Sequence, residues 1–274
     1  MAVETLAELR VGTSGYSFKD WRGPFYPPDL PDQKMFGYYV RFFNCVEINS
    51  TYYRMLSPAA MARMADQSPD DFVFTVKLHR SITHDRSSLL ANIAEFKNSV
   101  GPLRERGKLG GLLAQFPWSF RNTRENRDHL LLLQQHFGGA PLFVEFRNAG
   151  WAVPGVLGFI QANGLAICSV DEPDLPGLMP PQAFLTSDKG YVRFHGRNAA
   201  TWWGGGAEER YNYAYSADEL LPWADRIKAL RQKAAKIYVF FNNCHAGHAA
   251  RNALLMKRLL GLDSSSEQVD LFDA

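Results

Sequence analysis

No apolar run in this chain approaches the about 20 residues that a helix needs to cross a bilayer, so a membrane-spanning protein is not expected. Cysteine is scarce: Cys45, Cys168 and Cys244 are the three in 274 residues. Odd in number and far apart, they exclude a disulfide framework and read as reduced thiols of a cytosolic protein. Neither sign of charge dominates. Thirty basic against 28 acidic residues leave a formal +2, too small an excess to demand a polyanionic partner, although local clusters can still hold phosphate. The opening Met-Ala-Val-Glu-Thr-Leu lacks the basic-then-apolar order of a signal peptide, so export is not expected. There is no internal repeat and no interdomain linker. The glycine-rich stretch from Trp202 to Ala207 is not followed by Gly-Lys-Ser/Thr, so it reads as a flexible lid and not as a phosphate loop.

What the chain does contain is core. Apolar residues make up 46% and charged residues 21%, an ordinary globular composition. The length allows two small domains or one large closed barrel. Eight short apolar runs recur: Leu9–Gly15, Cys45–Thr51, Phe72–His79, Leu109–Phe116, Pro141–Arg147, Leu165–Asp171, Gly190–Gly196 and Lys236–Asn242. Each has the length and the Val, Ile, Phe and Leu content of a buried parallel strand. Helical segments separate most of them, which predicts a single-domain (β/α)₈ TIM barrel over residues 1–261. Ser57-Pro58, Thr123 and Ser216-Ala-Asp-Glu219 mark helix starts. Pro173, Pro176, Pro180 and Pro181 preclude a long helix between the sixth and seventh strands, so that connection is expected to be irregular. Residues 262–274 read as a polar tail.

Strand parity sorts side chains into two faces. Val46 and Ile48, Phe74 and Val76, Val144 and Phe146, and Val192 and Phe194 form apolar sets that must meet the surrounding helices. The opposite sets are then turned into the lumen: Glu47, Asn49 and Thr51; Thr75, Lys77 and His79; Glu145 and Arg147; Arg193 and His195. Ser169 and Asp171, Gln115 and Asn242 are assigned to the same interior. Buried charges must pair with each other or meet a ligand. The plainer outcome is a self-satisfied network, with Glu47 and Glu145 holding Arg147 and Arg193. A site is the other, because most of these residues sit late in their strands, at the mouth where such barrels work. Trp21, Trp118, Trp151, Trp202 and Trp203 follow predicted strands, with Tyr16, Tyr52 and Tyr53 nearby, and suggest an aromatic rim for a planar or sugar-like ligand.

These same stretches carry a resemblance. Gly12-Thr-Ser-Gly-Tyr-Ser17 with Asp20-Trp21, Val46-Glu-Ile-Asn-Ser-Thr-Tyr-Tyr-Arg54, Phe74-Thr-Val-Lys77, Gln115-Phe-Pro117, Glu145-Phe-Arg147 with Trp151, Tyr191-Val-Arg-Phe-His-Gly196 and Val239-Phe-Phe-Asn-Asn243 are similar to the family named domain of unknown function 72, or YecE-like. The resemblance reaches about Leu260. It implies a TIM barrel and carries no established reaction and no assigned catalytic residues.

Three chemistries suit this mouth. Glu47, Glu145, Asp171, His79 and His195 are of types that ligate a divalent metal, although Lys77, Arg147 and Arg193 among them oppose a cation. Lys77 can instead attack a sugar aldehyde if its ammonium is destabilised; pairing with Glu47 or Glu145 would prevent that. Lys77, Arg147, Arg193 and Asn242 can also hold a phosphate or carboxylate, with His195, Glu47 and Asp171 as acid or base. The candidate catalytic residues are therefore Glu47, Lys77, Glu145, Asp171 and His195. The candidate ligand-binding residues are Ser14, Tyr16, Trp21, Asn49, Thr51, Tyr52, His79, Gln115, Arg147, Trp151, Arg193, Trp202, Asn242 and Asn243. Cys244-His245 and His248 form a weak metal motif, since adjacent Cys and His rarely reach one ion.

The tail holds Gln268-Val-Asp-Leu-Phe272, which looks like the short peptide that docks bacterial repair proteins on the sliding clamp, with Gln268, Leu271 and Phe272 as anchors. Folding of Leu271 and Phe272 back onto the barrel is the alternative. Together these features suggest binding of a phosphate- or sugar-bearing ligand, with nucleic-acid processing by a hydrolase or lyase in DNA maintenance as one reading. A sugar-phosphate isomerase, lyase or hydrolase is a second, and a non-catalytic nucleic-acid-binding protein a third.

Overall fold

A computed structural model describes residues 6–262, so the tail peptide with Gln268, Leu271 and Phe272 lies outside the described residues. Eight parallel strands appear where the apolar runs predict them: β1 (Glu8–Thr13), β2 (Cys45–Ile48), β3 (Val73–Lys77), β4 (Leu109–Gln115), β5 (Leu142–Glu145), β6 (Ala166–Asp171), β7 (Lys189–Phe194) and β8 (Lys236–Phe241). Their order is β1-β8-β7-β6-β5-β4-β3-β2. A single parallel bridge between Ser14 and Glu47 brings the two ends of that sheet together. This is a TIM barrel in one domain, closed least firmly between β1 and β2.

The helices are α1 (Met35–Tyr39), α2 (Pro58–Gln67), α3 (Leu89–Glu105), α4 (Arg124–Phe137), α5 (Pro154–Ala162), α6 (Ala207–Arg210), α7 (Ala217–Arg231) and α8 (His248–Leu259). Their starts are chemical. The Ser57 and Thr123 hydroxyls accept from the amides of Ala60 and Asn126, and Ser216 and Glu219 form a full capping box. Residues 172–188 contain no helix, as the prolines require. That segment is instead pinned to β6: the Phe184 amide donates to Ser169 Oγ at 2.9 Å, and the Ile167 amide donates to Thr186 Oγ1 at 2.9 Å.

The core has two parts. Between sheet and helices lie Val46, Phe74, Val76, Val144, Val192, Phe194, Val239 and Phe241, all fully buried. Inside the barrel, the lower lumen is filled by aromatic rings where branched aliphatics are the usual filling. Phe143 packs on Tyr191 at 4.4 Å, and Tyr191 on Phe240 at 5.3 Å. This plug seals the bottom and leaves the polar groups at the top. Among the described residues no helix is long and apolar enough to cross a membrane.

Candidate active site

The upper lumen is built from strand ends. β7 directs Tyr191, Arg193 and His195 inward, β5 contributes Glu145 and Arg147, β2 contributes Glu47, and β3 contributes Thr75 and Lys77. Arg193 is the hub. Its Nη1 lies 2.6 Å from Glu145 Oε2, and its Nη2 lies 2.7 Å from Glu47 Oε1 and 3.3 Å from Ser14 Oγ. The Tyr191 hydroxyl donates to Glu47 Oε2 at 2.7 Å, and that hydroxyl is 2.9 Å from Thr75 Oγ1. Above this layer, Arg147 Nη2 lies 2.8 Å from Glu145 Oε1 and 3.2 Å from His195 Nε2, while Nη1 reaches Glu172 Oε2 at 2.6 Å. Asn242 Nδ2 sits 3.2 Å from His195 Nδ1, and Asn242 Oδ1 accepts from Asn49 Nδ2 at 3.3 Å.

Glu47 and Glu145 are therefore engaged by the two arginines, which is the self-satisfied outcome for this part of the lumen. Lys77 is the exception. Among the described residues neither carboxylate forms an ion pair with it, and its ammonium rests 4.3 Å over the ring of Tyr52. The residue is 8% exposed, at the upper end of β3. Burial, reinforced by the Arg193 charge, pulls its ammonium down to about 7. Burial also pushes the Glu172 carboxyl up to about 7 against the pull of Arg147. Burial and the Arg147 charge lower His195 to about 3, so its imidazole is neutral. Burial opposes ionisation of Glu145, but Arg193 and Arg147 outweigh it and hold this carboxyl well below its usual range.

Several expected positions are corrected. Asp171 does not face the lumen. It pairs in register with Phe194 of the helix-facing set, and its carboxylate accepts from Arg197 at 2.9 and 2.7 Å, from the Tyr215 hydroxyl at 2.6 Å and from Trp223 Nε1 at 2.6 Å. Ser169 faces the same way, and the lumen side of β6 is Cys168 and Val170. Arg197 and Tyr215 stand at the two ends of the long loop after β7, so Asp171 is the staple of that loop. Gly196 opens it at φ +87°, where a Cβ would meet Tyr213 Cβ at 2.6 Å. Asn243 also turns outward and donates to Tyr213 O at 2.7 Å.

The tryptophan rim is likewise revised. Trp21 and Trp151 are completely buried, and their Nε1 atoms donate to the carbonyls of Cys244 and Phe120 at 2.6 and 2.7 Å. Trp202 is buried over Arg147, 5.5 Å from ring centre to guanidinium, and is in place to cover the lumen. Trp203 stays 56% exposed. Most of the open rim is tyrosine: Tyr16, Tyr52, Tyr53 and Tyr211. Thr51 donates to Lys77 O at 2.6 Å and so fixes the end of β3. His79 is engaged with Ser81 Oγ at 2.8 Å, and Gln115 donates to Phe116 O at 2.7 Å, so both serve local turns. Among the described residues, no three His, Cys, Asp or Glu side chains are arranged to hold a metal ion, the Cys244–His248 stretch included. The Cys244 thiol is pushed up by burial, away from nucleophilic use.

Parity also missed one member. Glu172 follows the lumen series Cys168, Val170, and this alternation is the available signal for it. Tyr211 reaches the mouth from the loop after β7, for which the sequence holds no periodic signal.

Comparison with known proteins agrees with this architecture. The family model described as protein of unknown function DUF72 matches residues 10–270. The UPF0759 protein YunF of Bacillus subtilis is 32% identical over 284 residues, covering 96% of this chain and 100% of that protein. The UPF0759 protein YecE of Escherichia coli is 34% identical over 84 residues, 30% of each. A solved DUF72 family protein from Thermotoga maritima superposes with a TM-score of 0.86 at 39% identity, covering 93% of this chain and 99% of that one. Another, from Enterococcus faecalis, gives a TM-score of 0.83 at 28% identity, covering 94% and 97%. Sequence and fold thus agree over nearly the whole length, and the chain belongs to the DUF72 family.

Proposed function

We propose that the barrel mouth binds a sugar- or phosphate-bearing ligand with a free carbonyl, and that Lys77 is the group that reacts with it. The observation that carries this reading is the isolation of Lys77. It is a buried amine at the mouth end of β3, without a carboxylate partner among the described residues, while Glu47 and Glu145 are bonded to Arg193. An amine that is neutral near pH 7 is a competent nucleophile. Attack of Nζ on the carbonyl carbon and loss of water gives a protonated imine, which draws electrons from the adjacent carbon. That is the chemistry of a lyase or an isomerase. With Lys77 neutral, as this reading requires, the remaining cations Arg147 and Arg193 are already engaged by Glu145, Glu172 and Glu47. No surplus positive charge then calls for a bare anion, which favours carbonyl chemistry over simple anion capture.

Two sources offer such a carbonyl: a free sugar phosphate, and the ring-opened sugar of an abasic nucleic-acid site. The clamp-like peptide at Gln268–Phe272 supports the second, and with it a place in DNA maintenance. Borohydride trapping tests the proposal with ribose 5-phosphate and an abasic oligonucleotide in separate arms. A reduced adduct located on Lys77 by mass spectrometry, and lost in Lys77→Met, is expected in one arm. No adduct in either arm overturns the reading. Binding of the 262–274 peptide to a bacterial sliding clamp tests the partner; absence of affinity removes the DNA-maintenance version.

A further inference from the structure

The barrel is weakest where β1 meets β2. Every other neighbouring pair is joined by a ladder, but here the Ser14–Glu47 bridge stands alone, with the Gly15 amide donating to Glu47 O at 2.8 Å. The crossover between these strands carries two short 3-10 turns and, as its one α-helix, the five-residue α1, so little helix fills the layer outside them. Past the bridge the two chains diverge, and a cavity of about 1030 Å³ occupies the gap. Its inner end is formed by Ser14, Glu47, Asn49 and Asn242, and its outer wall by Ala60 and Met64 of α2. Lys77 is not among its walls. The cavity is a side chamber that opens from the mouth.

Two features specify an occupant. The first is shape and surface: Tyr16, Phe18, Tyr53 and Tyr211 line the chamber, and its volume lies at the top of the about 300–1,000 Å³ range of small-molecule pockets. Aromatic walls of this kind favour a flat ring. The second is an unpaired acceptor. Asn49 gives its amide NH₂ to Asn242 Oδ1, while Asn49 Oδ1 is buried and has no hydrogen-bond partner among the described residues. A buried acceptor without a donor is costly, and a turn of the Asn49 side chain, which lines the chamber, brings this oxygen to an N–H group of an occupant.

We propose that this chamber binds a nucleobase or a similar planar nitrogen heterocycle, held between tyrosine rings with an N–H donated to Asn49 Oδ1. The inference deepens the Lys77 reading and rests on it in one respect: the reacting carbonyl then belongs to a sugar that lies beside a base. The chamber itself is tested without that chemistry. Adenosine and uridine, which have no free carbonyl, are the probes, read by ligand-observed NMR and calorimetry on the whole chain. Saturable binding is expected. It weakens by about tenfold or more in Met64→Trp, which fills the chamber, and in Asn49→Leu, which removes the acceptor. It persists in Lys77→Met. Circular dichroism and melting temperature confirm that each variant is folded, and Ala60→Leu serves as a milder filling variant. No saturable binding of either nucleoside to the wild-type chain at millimolar concentration, or affinity unchanged in all the filling and acceptor variants, overturns the proposal. Nucleoside binding without any borohydride adduct supports the chamber and removes the Lys77 chemistry; an adduct without nucleoside binding does the reverse.

Discussion

Lys77→Met separates a reactive amine from a structural one. Methionine keeps the length of the stem and removes the ammonium. In the folded chain the Lys77 ammonium is lowered from 10.5 to about 7, and each tenfold rise in its acidity corresponds to about 1.4 kcal/mol between the two protonation states. At pH 7 the unfolded chain binds this proton fully and the folded chain about half of it. Lys77 therefore costs the fold about 4 kcal/mol there, relative to a solvent-exposed lysine. Because the folded value lies below the unfolded one, the cost is fully present below pH 7, shrinks as pH rises from 7, and is gone above about 10.5. Urea denaturation of wild type and Lys77→Met at pH 7, 8.5 and 10 measures this. The variant should be the more stable at pH 7, and the gap should narrow at each step. A variant that is less stable at pH 7, with a difference that ignores pH, would mean that Lys77 is an ordinary structural cation and would refute its role as a nucleophile.

Other consequences follow from the same geometry. Asp171→Ala leaves the Tyr215 hydroxyl and Trp223 Nε1 without an acceptor, at about 1–3 kcal/mol each, so denaturation should show a loss of several kcal/mol and limited proteolysis should cut within residues 196–215. Intact proteolytic resistance would refute the stapling role. Arg193→Met leaves Glu47 and Glu145 buried without their shared partner and should destabilise the chain by about 3–5 kcal/mol; a change under about 1 kcal/mol would contradict the hub assignment. Burial lowers His84, His129 and His195 to about 4, 4 and 3. These are values below the unfolded about 6.5, so the stability of the neutral rings is present above pH 6.5 and lost as pH falls toward 4. The urea midpoint should drop across that window, and a flat profile would contradict the burial. Lys108 Nζ donates to the carbonyls of Ala65, Ser68 and Pro69 at 2.8–2.9 Å, so Lys108→Met should lower the melting temperature, which differential scanning fluorimetry reads.

The barrel is legible in the sequence because its strands are written twice, as apolar runs and as the turns between them. Each of the eight runs matches a strand to within three residues at either end, and Ser57, Thr123 and Ser216 cap the helices they announce. The site is legible where one face of a strand is wholly apolar: Val192 and Phe194 against Arg193 and His195, or Val144 against Glu145. It is not legible in β6, where the outward set Ile167, Ser169 and Asp171 carries the polar groups and the lumen set Cys168 and Val170 is apolar. Polarity there does not mark the lumen, because Ser169 and Asp171 point outward to satisfy the Phe184 amide, Arg197, the Tyr215 hydroxyl and, on α7, Trp223. Nor does a tryptophan after a strand mark the rim. Trp21 and Trp151 carry a large apolar area and one N–H, both of which are satisfied in the interior by a neighbouring ring and a carbonyl. The side chamber arises from the divergence of two chains and the shortness of α1, which no local periodicity records.

Carbonyl chemistry at this mouth requires that Lys77 hold its proton weakly inside a lumen of paired charges. Direct titration of its Nζ, by NMR of isotopically labelled lysine with Lys77→Met as the assignment control, tests this. A midpoint near 7 is predicted, and a midpoint at or above the roughly 10.4 of a free lysine would contradict it.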